Sequence, residues 1–158
     1  MDQHEFVQLF RPLLPKVSSY LNRRVPAQEV EDLASKVFEI AWDKREKCPI
    51  GFELAWLYRI CGNVVSNYRR KASASWRLVE LFDSDGSAPS AEDLAIANLS
   101  MRAAFESLTS KDRQVLSLFA FDGLTVAEIG TALNLSPNAA TQRLKRARAK
   151  LSAELEKE

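Results

Sequence analysis

Apolar residues recur every three or four positions along most of this chain, and runs that alternate with a period of two are absent. That spacing predicts helices and an all-α fold. Phe6, Leu9, Phe10, Leu13 and Val17 share one stripe, which Pro12 and Pro15 must bend or interrupt. After Pro26, a second stripe of Val30, Leu33, Ala34, Val37, Phe38 and Ala41 leaves Glu31, Asp32, Ser35 and Glu39 off it. Cys48-Pro49-Ile50-Gly51 breaks the chain, and a third helix is expected from about Phe52 to Arg70. Leu57, Ile60, Cys61, Val64 and Tyr68 form its buried stripe.

The stretch Leu81 to Ser90 is small, polar and acidic, with Gly86 and Pro89 inside it, and reads as a linker. Beyond it, Ser90-Ala91-Glu92-Asp93 is a helix start signal ahead of Leu94, Ala97, Met101, Ala104, Phe105 and Leu108. Thr109 is expected to cap a helix whose Val115, Leu116, Leu118 and Phe119 point inward and which Asp122-Gly123 ends. Thr125 and Glu128 form a capping box for a short helix through Leu133. Asn134 can adopt the left-handed conformation of a tight turn. Ser136 then caps a last helix with Pro137 at its first position. Two small helical domains are expected, at 1–78 and 92–158, joined by a flexible acidic linker at 79–91.

Composition narrows the function classes. No apolar run approaches the roughly 20 residues a membrane span needs, and the N-terminus lacks the basic and apolar regions of a signal peptide, so a cytoplasmic protein is expected. Cys48 and Cys61 are read as reduced structural thiols, and His4 is the one histidine. No metal-ligand cluster, phosphate loop or nucleophile motif stands out. No enzyme activity, cofactor, metal or small-molecule substrate is therefore expected. The net charge is only +1, but the positive charge is gathered in two places. One is Arg143, Lys145, Arg146, Arg148 and Lys150; the other is Arg69-Arg70-Lys71, flanked by Arg59 and Arg77. Two local contacts with a polyanion follow.

The C-terminal pattern is that of a helix-turn-helix, with Ile129, Leu133, Leu135, Leu144 and Ala147 placed to lock the helix pair. Asn138, Thr141, Gln142 and Lys145 would then face a major groove, with Arg143, Arg146 and Arg148 suited to phosphates and Arg143 also able to reach a guanine. In the N-terminal half, Trp56, Arg59, Asn63, Asn67 and Arg70 recur on one side of the third helix. An aromatic ring, base-reading amides and arginines are what single-strand capture needs. Periodicity alone leaves open the plainer alternative of a core tryptophan above a wet helix face.

Taken together, these residues resemble the extracytoplasmic-function sigma factors of the sigma-70 family over nearly the whole chain. Val30-Glu31-Asp32-Leu33 through Phe38, Ala41 and Trp42 is similar to the family's polymerase-binding helix. Trp56-Leu57-Tyr58-Arg59-Ile60, Asn63 and Tyr68-Arg69-Arg70 resemble its promoter-melting, −10-recognition segment. Leu108-Thr109, Asp112-Arg113, Leu116, Gly123-Leu124-Thr125, Glu128-Ile129, Leu144 and Arg146-Ala147-Arg148 resemble its −35-binding domain.

The resemblance implies docking of Glu31, Asp32, Phe38 and Trp42 on the clamp of core RNA polymerase, with a further contact at its flap. It implies −10 DNA contacts by Trp56, Arg59, Asn63, Asn67, Arg69 and Arg70, with Asn63 as base-pocket asparagine and 47–52 as the loop around a flipped base. It implies −35 contacts by Asn138, Thr141, Gln142, Arg143, Lys145 and Arg146, and an anti-sigma partner that could hold the protein at the inner membrane face. Ser35-Lys36 departs from the usual Gln-Glu, and Asn138-Ala139-Ala140-Thr141-Gln142 replaces the common Gly-Thr-Val-Lys-Ser. The rival is a stand-alone helix-turn-helix repressor or activator, which predicts a dimer on a palindromic operator without polymerase.

Overall fold

The computed structural model describes residues 1–75 and 99–157, and every regular element among them is helical. Contacts divide the chain into two units, Met1–Phe82 and Asp83–Glu158. The expected linker at 79–91, the start signal at Ser90–Asp93, and Arg77, Leu94 and Ala97 lie outside the described residues.

In the first unit, α1 (Gln3–Phe10) opens on a capping box between Asp2 and Glu5. Pro12 sits in a 3₁₀ turn (Arg11–Leu13) and Pro15 in the first turn of α2 (Leu14–Asn22). Each proline thus stands where its missing N–H costs no helical bond, and the expected interruption falls between the two helices. A 3₁₀ turn (Ala27–Glu29) leads into α3 (Val30–Asp43), another (Arg45–Lys47) follows, and α4 (Glu53–Ser75) is the longest helix of the unit. Helices α2, α3 and α4 pack on one another around Val17, Leu21, Val37, Ala41, Leu57, Cys61 and Val64, all buried.

Aromatic rings close the top and side of this core. Phe6 and Phe10 stack at 4.5 Å, Phe6 meets Trp42 edge-on at 5.2 Å, and Phe10 meets Trp56 at 6.0 Å. Across the bundle, Tyr20 stacks on Tyr58 at 4.9 Å, and the buried Arg24 guanidinium lies 3.6 Å from the Tyr20 ring centre. Among the described residues, every tryptophan and tyrosine belongs to this unit, and the aromatic residues of the second are all phenylalanines. Leu9, expected on the buried stripe, is exposed. Gly62 lies inside α4, where an added Cβ would meet the Tyr20 hydroxyl at an ordinary 3.7 Å, so packing does not demand glycine there.

In the second unit, α5 (Leu99–Glu106), α6 (Ser110–Ala120) and α7 (Val126–Leu133) all pack on α8 (Pro137–Glu156). The local signals stand where the sequence put them. The Thr109 hydroxyl accepts from the Asp112 amide at 3.3 Å. The Thr125–Glu128 capping box closes in both directions, at 2.9 and 3.2 Å. Asn134 is left-handed at φ 57°, and Ser136 accepts from the Ala139 amide at 3.1 Å. Ala104, Phe105, Leu108, Val115, Leu116, Leu118, Ile129, Leu144 and Ala147 form the core. Phe119 is the exception: its ring is 37% exposed and lies beneath the Arg148 guanidinium, 5.2 Å from the ring centre.

Candidate nucleic-acid interfaces

The pair α7–α8 meets in a turn of only Asn134, Leu135 and Ser136. The Leu135 amide donates to the Gly130 carbonyl at 2.7 Å, which pulls the turn back against α7. A Cβ on Gly130 would stand 2.8 Å from the Leu135 carbonyl oxygen, so this contact admits glycine alone. The sequence reading did not single out Gly130; the signal was a glycine inside a helix with a strong capping box ahead of it.

Ile129, Leu144 and Ala147 bury the seam between the helices. The opposite side of α8's first turns is open: Asn138, Thr141, Gln142, Lys145 and Arg146 are exposed, and Arg143 is half-buried. The Thr141 hydroxyl donates to the Pro137 carbonyl at 2.9 Å, so its proton is engaged within the helix. Asn138 and Gln142 are one helical turn apart and present free amides to the same side. Two cations of the basic run turn away from that face. Arg148 covers Phe119, and the Lys150 ammonium is 3.0 Å from a carboxylate oxygen of the buried Asp112.

Along α4, Arg59, Asn63, Asn67 and Arg70 are exposed at intervals of three and four residues, as expected. Ser66 joins them and was missed, although it continues the same spacing. The Arg70 guanidinium donates to the Asn67 side-chain carbonyl, which orders both. Trp56, from the expected face, and Arg69, which the resemblance assigned to −10 DNA, have other surroundings. Trp56 is only 7% exposed and packs on Phe10, so the outward ring foreseen for base stacking is a core ring instead. Arg69 is half-buried and donates to the Arg24 carbonyl at 3.1 Å, tying α4 to the end of α2.

On α3, Glu31 and Asp32 are exposed. Phe38 is half-buried and, with Phe6, Val7, Phe10, Arg11 and Leu14, lines an open apolar groove of about 300 Å³. Trp42 does not stand free beside it. Phe6 takes one edge of the indole, and Arg45 lies 3.8 Å over its ring while donating to the Trp42 carbonyl at 2.8 Å. Before α4, the Ile50 side chain is 96% exposed at a turn in which Gly51 is left-handed and donates to Glu53 at 3.1 Å.

Cys48, in the same turn, is half-buried, and burial, reinforced by the Glu53 carboxylate, pushes its thiol up to about 11. The neutral form is the one favoured, so below that pH the sulfur stays protonated. Alkylation by iodoacetamide at pH 8 should therefore run roughly a hundredfold slower than for an ordinary thiol. Mass spectrometry over a pH series would show it, and labelling at the rate of free cysteine would contradict the assignment. Cys61 is buried in the core. Among the described residues, no cluster of three His, Cys, Asp or Glu side chains could hold a metal ion, and no helix is long and apolar enough to cross a membrane.

Comparison with known proteins follows the same division. Residues 9–75 match sigma-70 region 2, and residues 98–151 match sigma-70 region 4. The RNA polymerase sigma factor SigZ of Bacillus subtilis (strain 168) is 30% identical over 102 residues, 65% of this chain; the match spans 58% of that relative's length. Among solved structures, the sigma factor RpoE of Bartonella quintana, crystallised with the anti-sigma factor NepR, superposes with a TM-score of 0.67 at 20% identity, covering 96% of this chain and 97% of that one. CnrH, in complex with the cytosolic domain of CnrY, gives 0.65 at 26% identity, covering 99% and 91%. Only residues 76–97 separate the two matched regions, too few for a domain of their own. With regions 2 and 4 in this order and nothing of domain size between them, the chain belongs to the sigma-70 family, in its extracytoplasmic-function group.

Proposed function

We propose that this protein is an alternative sigma factor that joins core RNA polymerase and directs it to promoters carrying particular −10 and −35 elements. One observation carries the reading. Two exposed polar faces of different chemistry lie on one chain, one on a helix-turn-helix and one on a long helix outside any such motif. A repressor needs only the first.

In this reading α8 enters the major groove of the −35 element. Its rigid packing on α7 carries Asn138 and Gln142 to base edges, where each good pair discriminates by roughly 1–3 kcal/mol. Arg143, Lys145 and Arg146 hold phosphates and set the register. The α4 face takes the non-template strand of the −10 element, with Asn63 on a base and Arg59 and Arg70 on the backbone. The turn at 47–52 closes around an unstacked base, and the bare Ile50 side chain supplies it an apolar surface. Trp56 contributes from within, by holding the start of α4 on Phe10, and Arg69 does so at the other end through Arg24. On α3, Glu31, Asp32 and Phe38 meet the polymerase clamp, while Trp42 is held behind them by Arg45. The second unit would meet the flap. Promoter DNA and core polymerase are thus the working partners, in the cytoplasm. An anti-sigma protein is inferred as the regulator, as in the RpoE–NepR complex.

The decisive experiment mixes the purified chain with bacterial core polymerase and fragmented genomic DNA, then maps transcript 5′ ends. New starts sharing −10 and −35 elements support the reading. A tight dimer selecting palindromic duplex unaided, with no new starts, overturns it. Within this reading, Asn63→Ala should weaken open-complex formation by about 1–3 kcal/mol, the size of one base contact, and spare core binding. Normal permanganate reactivity at the start site would refute the role given to Asn63.

A further inference from the structure

Resting on that reading, we propose that Lys150 and Asp112 are positioning residues for −35 recognition: their ion pair sets the angle at which α8 enters the groove. The Lys150 ammonium lies 3.0 Å from Asp112 Oδ2, and the Asp112 side chain is 9% exposed against 58% for Lys150. A carboxylate so covered has little water to take the place of its cation, so losing the partner costs more than it would on the surface. Asp112 itself cannot wander, because it sits in the first turn of α6, its amide bound to the Thr109 hydroxyl at 3.3 Å. Lys150 lies eight residues beyond Gln142 on α8, about 12 Å along the axis. The α7 seam holds the near end of the helix; farther along, α8 packs on α5 and α6, and the ion pair ties it to the first turn of α6. The pair fixes how α8 is set on α6, and with it the direction in which the amides of Asn138 and Gln142 point; without the pair, that setting rests on apolar packing alone, which is less directional. The same geometry removes Lys150 from the set of phosphate ligands to which its place in a basic run would assign it.

The test uses the full chain assembled with core polymerase. Binding is compared on a promoter fragment and on the same fragment with its −35 element scrambled, across a salt series. Lys150→Met keeps the stem and removes the charge. It should cut the preference for the intact element roughly five- to tenfold, on the order of one good base pair's discrimination. The salt slope should stay at the wild-type value, and Lys150→Arg should restore most of the preference. Asp112→Glu keeps the pair but lengthens it by one methylene, so it should lower the preference while circular dichroism shows the helices intact. Unchanged preference in Lys150→Met, or in a folded Asp112→Glu, overturns the proposal. So does a slope that falls by about one with equal losses on both fragments, because that is the signature of a phosphate contact. A wild-type holoenzyme indifferent to the −35 element would instead overturn the sigma reading on which the proposal rests.

Discussion

Phe10→Ala is expected to unfold the first unit, lowering its stability by about 3–5 kcal/mol. Phe10 is essentially without solvent contact, stacked on Phe6 and tilted against Trp56, so its removal strips a ring from the junction of α1 and α4. A core of this size rarely supplies more than about 3–5 kcal/mol in total, which leaves no margin. Val7→Ala, one helical turn before on an exposed face, should change stability by no more than about 0.5 kcal/mol. Urea unfolding followed by far-ultraviolet circular dichroism separates the two. A Phe10→Ala midpoint close to that of wild type would mean that α1 is not part of the core. Trp56 shares this junction, so its replacement by alanine should also lower stability and core binding rather than act on the melted strand alone.

Gly130→Ala should cost about 1–3 kcal/mol, the usual range for forcing atoms into a packed site, and should abolish preference for the −35 sequence. The added methyl would approach the Leu135 carbonyl to 2.8 Å, and that carbonyl belongs to the turn between α7 and α8 rather than to a yielding side chain. Relief must come from moving the turn, and α8 moves with it. Thermal unfolding gives the first effect, and selection from a randomised −35 element gives the second. Full selectivity in a stably folded Gly130→Ala protein would show that the turn tolerates displacement.

The helices and their caps were legible because each depends on a few neighbouring residues. Thr125 with Glu128, Asn134, and Ser136 with Pro137 act within one turn of chain, and each stands in its expected conformation. The faces were less legible because a helical wheel discards position along the axis. Trp56, Asn63 and Asn67 fall on the same side of α4, but α1 is 8 residues long and α4 is 23. At 1.5 Å per residue, the shorter helix can shield only about a third of the longer one. Phe10 therefore covers Trp56 at the start of α4, while the asparagines two and three turns on stay in water. The partners of Arg69 and Lys150 were illegible for a different reason. Both sit in basic runs, and only the fold brings the Arg24 carbonyl and the Asp112 carboxylate to them.

The segregation of aromatic residues also makes the two units differ in how they interact with light. All indole and phenol chromophores precede Asp83 in the sequence, so tryptophan emission reports nothing of the second unit, whose phenylalanines absorb and emit only weakly. Helicity, by contrast, is contributed by both. An unfolding curve from tryptophan emission therefore tracks one unit, and its difference from the helicity curve isolates the other without cutting the chain. Coincident curves would mean that the units melt together; separated ones would give each its own stability in a single unlabelled sample.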